Sequence, residues 1–436
     1  MRRSLAQAAV VLAAATALTL GAGLPALAGG HDPVPPTRLY VPPAPDGSLR
    51  QIVRLLGQHD AVGAARVTAM VTTPQAVWLD GGTPGQVRND VRRAVLRASL
   101  QRAVPTFVAY NLPYRDCGQY SAGGAAGTDA YAAWIDAVAS GLGTRKATVI
   151  LEPDGLGLIP NYVSALDGSS NCTIANDPSA PAGSAATPAN RFTQLNHAVD
   201  ALKQHPNVSV YLDATHTAWQ NVGESADRLV KAGALRADGF FVNVSNYQLT
   251  PNLVQYGTWV SKCLAYATTV NPGDFGGCPN QYWNGGPSNN WTGTALSNAG
   301  TWSDTAPEAD LNTAGINERY VSMLGAVQPT AHFVIDTSRN GQGPWTATAA
   351  YTDAQDWCNP PGRGLGQRPA LHPVATNALL DAYLWVKTPG QSDGQCTRGT
   401  GGTTDPEWGN IVDPAAGAWF PQQALQLATL AKPPLW

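Results

Sequence analysis

Residues 147–154 read ATVILEPD, a run of β-branched and apolar side chains that ends in two carboxylates flanking a proline. Comparable runs cover residues 77–79, 106–111, 208–213, 239–244, 332–337 and 383–387, with a weaker one at 38–41. Helical patterns stand between them at residues 124–142, 191–205, 226–234 and 316–326. Strands alternating with helices are typical of a parallel sheet covered by helices. The sequence therefore predicts an α/β fold, a parallel β/α barrel with about seven strands.

A doubly wound sheet is the alternative fold. It is less favoured because residues 155–160, GLGLIP, follow a strand but lack the third glycine of the dinucleotide-binding fingerprint. Three stretches, near residues 177–190, 253–310 and 390–413, read as loops inserted into one domain. The stretch 253–310 contains four tryptophans and follows a strand end, so we expect it to form a wall along the active site. The alternative for residues 253–310 is a flap that packs on the side of the barrel.

The amino terminus has the pattern of a secretory signal peptide. Arg2 and Arg3 precede an apolar stretch, and residues 26–28 read ALA, a small-x-small cleavage pattern. A membrane anchor is less favoured, because Gly and Pro interrupt the run. We therefore expect a signal peptide at 1–28, a single catalytic domain at 29–436 and a secreted, extracellular protein. Six cysteines in an exported chain predict three disulfides, and among 15 pairings the simplest local nesting is Cys117–Cys172, Cys263–Cys278 and Cys358–Cys396.

The composition excludes several classes of partner. The chain has 436 residues, 13% of them charged, with 27 Lys and Arg against 30 Asp and Glu and no long basic run. Nucleic acid and anionic membranes are therefore not expected as partners. No Cys-x-x-Cys or His-x-x-x-His spacing occurs, so no metal or cofactor is expected. The 13 Trp against 7 Phe suggest stacking surfaces for sugars.

Polar residues gather where the predicted strands end. They stand in 110–117, 152–154, 213–216, 243–246, 336–340 and 387–393. Because the carboxyl ends of barrel strands open onto one face, these segments predict one site with several carboxylates suited to acid and base chemistry. Each aspartate taken alone has a helix N-cap as its alternative, and a structural hydrogen-bond partner is the default reading of His216. The cations Arg115, Arg339 and Lys387 among the carboxylates disfavour a magnesium site.

At these residues the chain resembles glycoside hydrolase family 6, the inverting β-1,4-glucanases. The matching motifs are YNLPYRDC (110–117), EPD (152–154), YLDATH (211–216), NVSN (243–246), DTSRNG (336–341), WCNPPG (357–362) and WVKTPGQSDG (385–394). The resemblance extends from about Arg38 to the carboxyl terminus. It implies a distorted barrel with fewer than eight closed strands, and it supports the disulfides Cys117–Cys172 and Cys358–Cys396.

The resemblance also implies roles for individual residues. Asp154 becomes the general acid and Asp393 the candidate base, and direct contact between Asp393 and the attacking water is not assumed because a chain of water molecules can carry the proton. Asp116 would raise the pKa of the acid and help order water, Asp213 would support the site electrostatically, and Tyr110 would lie under the distorted sugar ring. These roles agree with inversion, which needs a protonated carboxyl on the leaving oxygen and a distant carboxylate that admits water.

A further set of residues in or beside the motifs is expected to bind the sugar chain. The tryptophans would provide stacking platforms for sugar rings, and packing in the protein core is the alternative role for each. Arg339 and Lys387 would hold sugar hydroxyls, and a structural salt bridge is the alternative role for these two residues. The predicted set is Trp78, Arg115, His216, Trp219, Asn243, Asn246, Arg339, Trp357, Trp385, Lys387 and Gln391. Three residues depart from the family pattern: Gln391 stands for the usual Glu, Thr215 for Gly and Gly155 for Ser.

The leading functional hypothesis is a secreted, monomeric, endo-acting β-1,4-glucanase whose partner is a β-glucan or cello-oligosaccharide. A cellobiohydrolase is the alternative among enzymes. A catalytically weak glucan-binding protein is the alternative from another class, because Gln391 removes a negative charge beside Asp393.

Overall fold

A computed structural model describes residues 37–174 and 186–436. Its main sheet contains seven parallel strands that neighbour one another in chain order. These strands are β2 (Val77–Leu79), β4 (Thr106–Ala109), β5 (Ala147–Leu151), β6 (Val208–Asp213), β7 (Gly239–Val242), β8 (His332–Asp336) and β10 (Leu380–Leu384). A short antiparallel strand, β9 (Ala370–Leu371), continues the sheet beyond β10, and β1 (Arg38–Leu39) pairs separately with β3 (Ala103–Val104). The predicted α/β fold with about seven parallel strands is confirmed.

The sheet curls until its two outer parallel strands nearly meet. No ladder joins β2 to β10 in the described chain, but the backbone N–H of Ala76 donates to the carbonyl of Trp385 at 2.9 Å. The indole N–H of Trp78 donates to the carbonyl of Val386 at 2.8 Å. These two hydrogen bonds bridge the gap, so the barrel is distorted rather than closed by regular pairing.

Helices cover the outer surface of the curled sheet. They are α1 (Ser48–Gly57), α2 (Ala61–Val71), α3 (Pro84–Leu100), α4 (Thr128–Leu142), α5 (Pro188–Lys203), α6 (Val222–Lys231), α7 (Thr250–Ala265), α8 (Ala314–Leu324) and α9 (Pro421–Thr429). Several begin at side-chain caps, for example α3, where Thr83 and Gln86 form a capping box. Within the described residues, no helix combines the length and apolar character needed to cross a bilayer.

Side chains alternate between the inside and the outside of the barrel. On β4, Val108 faces an interior cluster with Ile150 and Val334, whereas Phe107 and Ala109 pack outwards beneath the helices. A separate cluster joins α1, α2 and α9 at the flank of the barrel. Because this interior is filled, the functional surface lies at the strand ends.

Two predictions about local structure are wrong. The last strand ends at Leu384 instead of continuing to Lys387, because the backbone N–H groups of Val386 and Lys387 donate to the Asp336 carboxylate at 3.2 and 3.0 Å. The stretch predicted as a loop from 253 begins inside α7, which is followed by a π-helical turn (Tyr266–Val270). Residues 1–28 and 175–185 lie outside the described residues, so the structure gives no account of the signal peptide or of most of the 177–190 loop.

All three predicted disulfides are confirmed. Cys117 is bonded to Cys172, Cys263 to Cys278 and Cys358 to Cys396. The last bond joins the WCNPPG segment to the loop that follows β10 and therefore holds Asp393 beside the barrel mouth.

Candidate active site

A cleft with a volume of about 1180 Å³ opens at the carboxyl ends of the strands. The strand-end segments predicted to converge do so here. The predicted residues that line the cleft are Trp78, Tyr110, Arg115, Asp116, Asp154, His216, Trp219, Asn246, Trp357, Lys387, Gln391 and Asp393. The cleft lining within the described residues includes none from 253–310, so the prediction that this insertion forms a wall of the cleft is wrong.

The backbone at the strand ends is strained. Glu152, Asp154, Asp116, Thr215 and Ser245 have φ values of 56°, 61°, 56°, 53° and 60°. Positive φ is uncommon for residues with a Cβ and costs of order 1–3 kcal/mol, and it concentrates at functional sites. The barrel therefore supports several non-glycine residues in conformations that turn the chain sharply at the cleft.

Asp154 follows β5 and faces the cleft. Burial raises the pKa of its carboxyl well above the usual value, and the negative charges of Asp213 and Asp116 raise it further, against the opposing charge of Lys387. Directly before it, the buried Glu152 carboxylate accepts backbone N–H groups from Asn111 and Leu112 at 2.9–3.1 Å. Glu152 thereby ties the two neighbouring strand ends together beside Asp154.

Asp213 and Asp116 are the carboxyls that act on Asp154. Asp213 lies behind the cleft and accepts N–H groups from Leu156, Gly157 and Thr215 at 3.2, 3.1 and 2.9 Å. Burial raises its pKa to about 6 although these hydrogen bonds oppose the shift. Asp116 accepts the N–H of Ser121 at 2.7 Å, and burial raises its pKa to about 6 as well.

Asp393 has the opposite environment. One carboxylate oxygen accepts from Arg339 at 2.8 Å, from the Tyr247 hydroxyl at 3.1 Å and from the N–H of Asn359 at 3.0 Å. The other oxygen lies 3.0 Å from the Lys387 ammonium. Burial raises the pKa of Asp393, but the two cations outweigh it and bring the pKa to about 2. Asp393 is therefore ionised above about pH 2, whereas burial shifts the pKa of Asp154 in the opposite direction.

Aromatic side chains form the floor of the cleft beside Asp154. The Tyr110 ring meets the Trp78 ring edge-on at 5.5 Å, and the Arg115 guanidinium lies 4.9 Å from its centroid. Arg115 lines the cleft, but its N–H groups donate to the carbonyls of Asp80, Tyr110 and Ser121, so it also fixes the backbone around Asp116.

Two further aromatic pairs extend along the cleft. Trp219 lies 5.7 Å from His216, and burial lowers the pKa of His216 to about 3, so its imidazole is neutral. Trp357 lies 5.9 Å from Tyr120, another cleft residue. These rings add aromatic surface to the cleft lining beyond Tyr110 and Trp78.

Three residues predicted to contact sugar do not line the cleft. Trp385 is 1% exposed and packs against α1, α2 and α9, with its indole N–H on the Gln367 carbonyl at 2.9 Å. Arg339 is 0% exposed, and its guanidinium donates hydrogen bonds to the Asp393 carboxylate and to the carbonyl of Ser245. Asn243 is fully buried and donates to the Asp336 carbonyl at 2.8 Å. Core packing and the salt bridge, the alternatives for Trp385 and Arg339, are what the structure shows.

Sequence reasoning missed the residues that hold Asp393. Tyr247 and Asn359 donate to its carboxylate, and both stand next to or within motifs that were already singled out, NVSN and WCNPPG. Of the described His, Cys, Asp and Glu side chains, only Cys396, Asp405 and Asp413 gather closely enough for a metal ion, and the Cys396 sulfur is in a disulfide. That group therefore does not suit a metal.

The sequence profile of glycosyl hydrolases family 6 matches residues 35–431. The chain belongs to that family. It is therefore a glycoside hydrolase of the inverting β-1,4-glucanase type, acting on cellulose.

Similar proteins include both endo- and exo-acting members of the family. Endoglucanase 1 of Streptomyces halstedii is 31% identical over 79% of this chain and 78% of its own length. Endoglucanase A of Thermobispora bispora is 30% identical over 84% of this chain, which spans only 57% of that relative. A probable 1,4-β-D-glucan cellobiohydrolase C of Aspergillus niger is 28% identical over 91% of this chain and 77% of its own length.

Among solved structures, an endoglucanase of Mycobacterium tuberculosis superposes with a TM-score of 0.59 and 32% identity, over 90% of this chain and 97% of that one. That enzyme was solved in complex with a thio-linked methyl cellobiosyl cellobioside.

Proposed function

We propose that this protein is an endo-acting, inverting β-1,4-glucanase with Asp154 as the general acid. One observation carries the assignment: two carboxyls at the same cleft have environments that separate their pKa values, upward for Asp154 and down to about 2 for Asp393. Such separation is how one site holds a proton donor and a carboxylate together. The donor protonates the leaving oxygen while water attacks the opposite face of the sugar.

The low pKa of Asp393 bears on how the water loses its proton. A base works best when its pKa lies near the working pH, so a carboxylate titrating at about 2 is a weak direct acceptor. Asp116, with a pKa of about 6, is better matched and lines the same cleft. We propose that Asp393 orients the water and supplies negative charge, and that the proton moves towards Asp116 through solvent.

The sugar chain would lie on the aromatic rings along the cleft. We propose that Trp78, Tyr110, Trp219 and Trp357 stack on its sugars while Lys387, Gln391 and Asn246 contact hydroxyls. Their common position in the cleft lining supports this arrangement. A pyranose places C–H groups on its faces and hydroxyls at its rim, which suits a floor of rings with polar edges.

The endo-acting assignment is supported by two relatives that are named endoglucanases and are 31% and 32% identical to this chain. We further propose that residues 29–436 act as one monomeric catalytic domain, exported by the 1–28 signal peptide. The three disulfides support export, because such bonds persist in oxidising compartments.

Two measurements on purified protein test the proposal. Proton NMR early in cellotetraose hydrolysis should show the α-anomer first, and initial β-anomer would contradict inversion. Soluble carboxymethyl cellulose should lose viscosity rapidly while few reducing ends appear. Slow release of reducing sugar at nearly constant viscosity would instead identify the cellobiohydrolase.

A further inference from the structure

Outside the cleft, the insertion between α7 and α8 presents an exposed aromatic surface. Tyr282, Trp283 and Trp291 are 45%, 44% and 56% exposed. Among the described residues the only other exposed aromatic side chain is Trp436, near the carboxyl terminus. A cluster of large exposed rings is unusual on a soluble protein and commonly marks a binding surface.

The two other tryptophans of residues 253–310, one on α7 and one in the insertion, are buried. Trp259 and Trp302 are 0% and 2% exposed and stack on each other at 5.6 Å. Together with the Cys263–Cys278 bond, this pair anchors the insertion to the main hydrophobic core of the barrel. The exposure of Trp283 and Trp291 is therefore not explained by a lack of apolar surface on which they could pack.

The exposed rings are held in place. The Arg319 guanidinium lies 5.1 Å from the Trp283 centroid and 5.9 Å from the Trp291 centroid, and it donates to the Gly285 carbonyl at 2.8 Å. A Cβ added at Gly293 would lie 2.1 Å from the Trp283 ring, so that ring packs directly on the glycine backbone. Rings fixed in this way lose little conformational entropy when a ligand stacks on them.

The surface adjoins the active-site cleft. The Tyr282 hydroxyl donates to the carbonyl of Trp219 at 2.7 Å, and the neighbouring Gln281 side chain donates to the carbonyls of Thr217 and Gln220 at 3.1 and 2.9 Å. Since Trp219 lines the cleft, the exposed rings stand next to the part of the site that Trp219 forms. A polymer longer than the cleft would pass this surface as it leaves.

We propose that Tyr282, Trp283 and Trp291 form a second glucan-binding surface, which takes the part of a β-1,4-glucan chain that extends beyond the Trp219 end of the cleft. Aromatic faces stack on the C–H faces of pyranose rings, and the exposed amide of Asn290 beside them suits sugar hydroxyls. This inference rests on the proposed action on β-1,4-glucan.

The test compares a Trp283→Ala/Trp291→Ala variant with Trp436→Ala, which removes an even more exposed ring elsewhere. Binding to insoluble cellulose is measured in an Asp154→Asn background, so that hydrolysis does not interfere. We expect roughly tenfold weaker binding for the double variant, which corresponds to about 1.4 kcal/mol, and no change for the control. Trp291→Tyr, which keeps a ring at the exposed position, should retain most of the binding.

Three further readouts separate the possible outcomes. With Asp154 restored, the double variant should hydrolyse cellotetraose at the parental rate, because this substrate is too short to reach the surface. Unchanged cellulose binding would overturn the inference, as would sedimentation showing that the rings instead join two copies of the chain. Failure of the parent protein to cleave any glucan would refute the proposed function, while the binding comparison would still decide the role of the surface.

Discussion

At the scale of single residues, function depends on how neighbouring charges divide the carboxyls into donors and acceptors. Asp154 has other carboxyls around it, whereas Asp393 has Arg339 and Lys387 within hydrogen-bonding distance. Removing one charge from this set would change the protonation of the others. The sharpest tests therefore use substitutions that preserve shape and alter only ionisation or contact.

Asp154→Asn should abolish most cleavage of unactivated glucan, because proton donation to the leaving oxygen typically contributes about 10²- to 10⁴-fold. An aryl cellobioside with a good leaving group needs less protonation and should keep more of its rate. Steady-state rates on both substrates check this, with circular dichroism as the control for folding. Equal losses on the two substrates would argue against an acid role.

Gly157→Ala should weaken binding at the Trp219 end of the cleft. A Cβ at Gly157 would lie 2.5 Å from the Trp219 ring, so the ring must move away from its present position. We expect KM for cellotetraose to rise severalfold while an aryl cellobioside that does not reach Trp219 is little affected. Gly85→Ala on the surface of α3 is the matched control, since its added Cβ meets nothing within 4 Å.

The incorrect assignments of Trp385 and Arg339 as sugar-binding residues show what the sequence can and cannot predict about single side chains. Ala382, Leu384 and Val386 point into the barrel, so the alternation of side chains turns Trp385 outwards on to α1 and α2. That alternation was readable from the sequence once the strand was placed. The burial of Arg339 against Asp393 could not be predicted from the sequence, because the two residues are 54 positions apart along the chain.

At the scale of elements, the strands were predictable because parallel strands covered on both faces read as continuous apolar runs. The end of β10 was not predictable from the sequence. The backbone N–H groups of Val386 and Lys387 donate to the Asp336 carboxylate, although the sequence of these residues is still typical of a strand. The insertion was misread because Gly and Asn dominate its later half and conceal that its first part continues α7.

Removing the Cys358–Cys396 bond by a double Ser substitution should lower the free energy of unfolding by about 4 kcal/mol, since it closes a loop of 38 residues. The Cys263–Cys278 bond closes 15 residues, so its removal should cost about 3 kcal/mol. Only the first pair clamps the loop carrying Asp393, so we expect kcat at 25 °C to fall for the first variant and not for the second. Denaturant unfolding and cellotetraose kinetics measure the two effects.

At the scale of the whole molecule, the last loop is tied to the body by a buried polar network that begins at the active site. Asn359 donates its backbone N–H to Asp393 and its side-chain amide to Asp413, at 3.0 and 2.9 Å. Arg398 and Asp405 form a buried ion pair at 2.6 Å beside it. Burial raises the pKa of Asp413 to about 7, and the charge of Asp405 adds to that shift against the Asn359 hydrogen bond.

This network predicts how stability depends on pH. In the folded protein Asp413 keeps its proton up to about pH 7, whereas in the unfolded chain it ionises near pH 4. The folded state therefore binds the extra proton between these values, and the contribution of Asp413 to stability is complete below pH 4 and lost as pH rises through 7.

Asp413→Asn cannot ionise, so the stability of this variant relative to the parent should improve between pH 4 and pH 8. Allowing for screening by solvent, we expect a relative gain of about 1 kcal/mol, or roughly 2 °C in Tm. Calorimetry of both proteins across this range, with the exposed Asp129→Asn as the control for lost charge, measures the difference. A Tm difference that stays constant with pH, or shrinks as pH rises, would contradict a raised pKa of Asp413 in the folded protein.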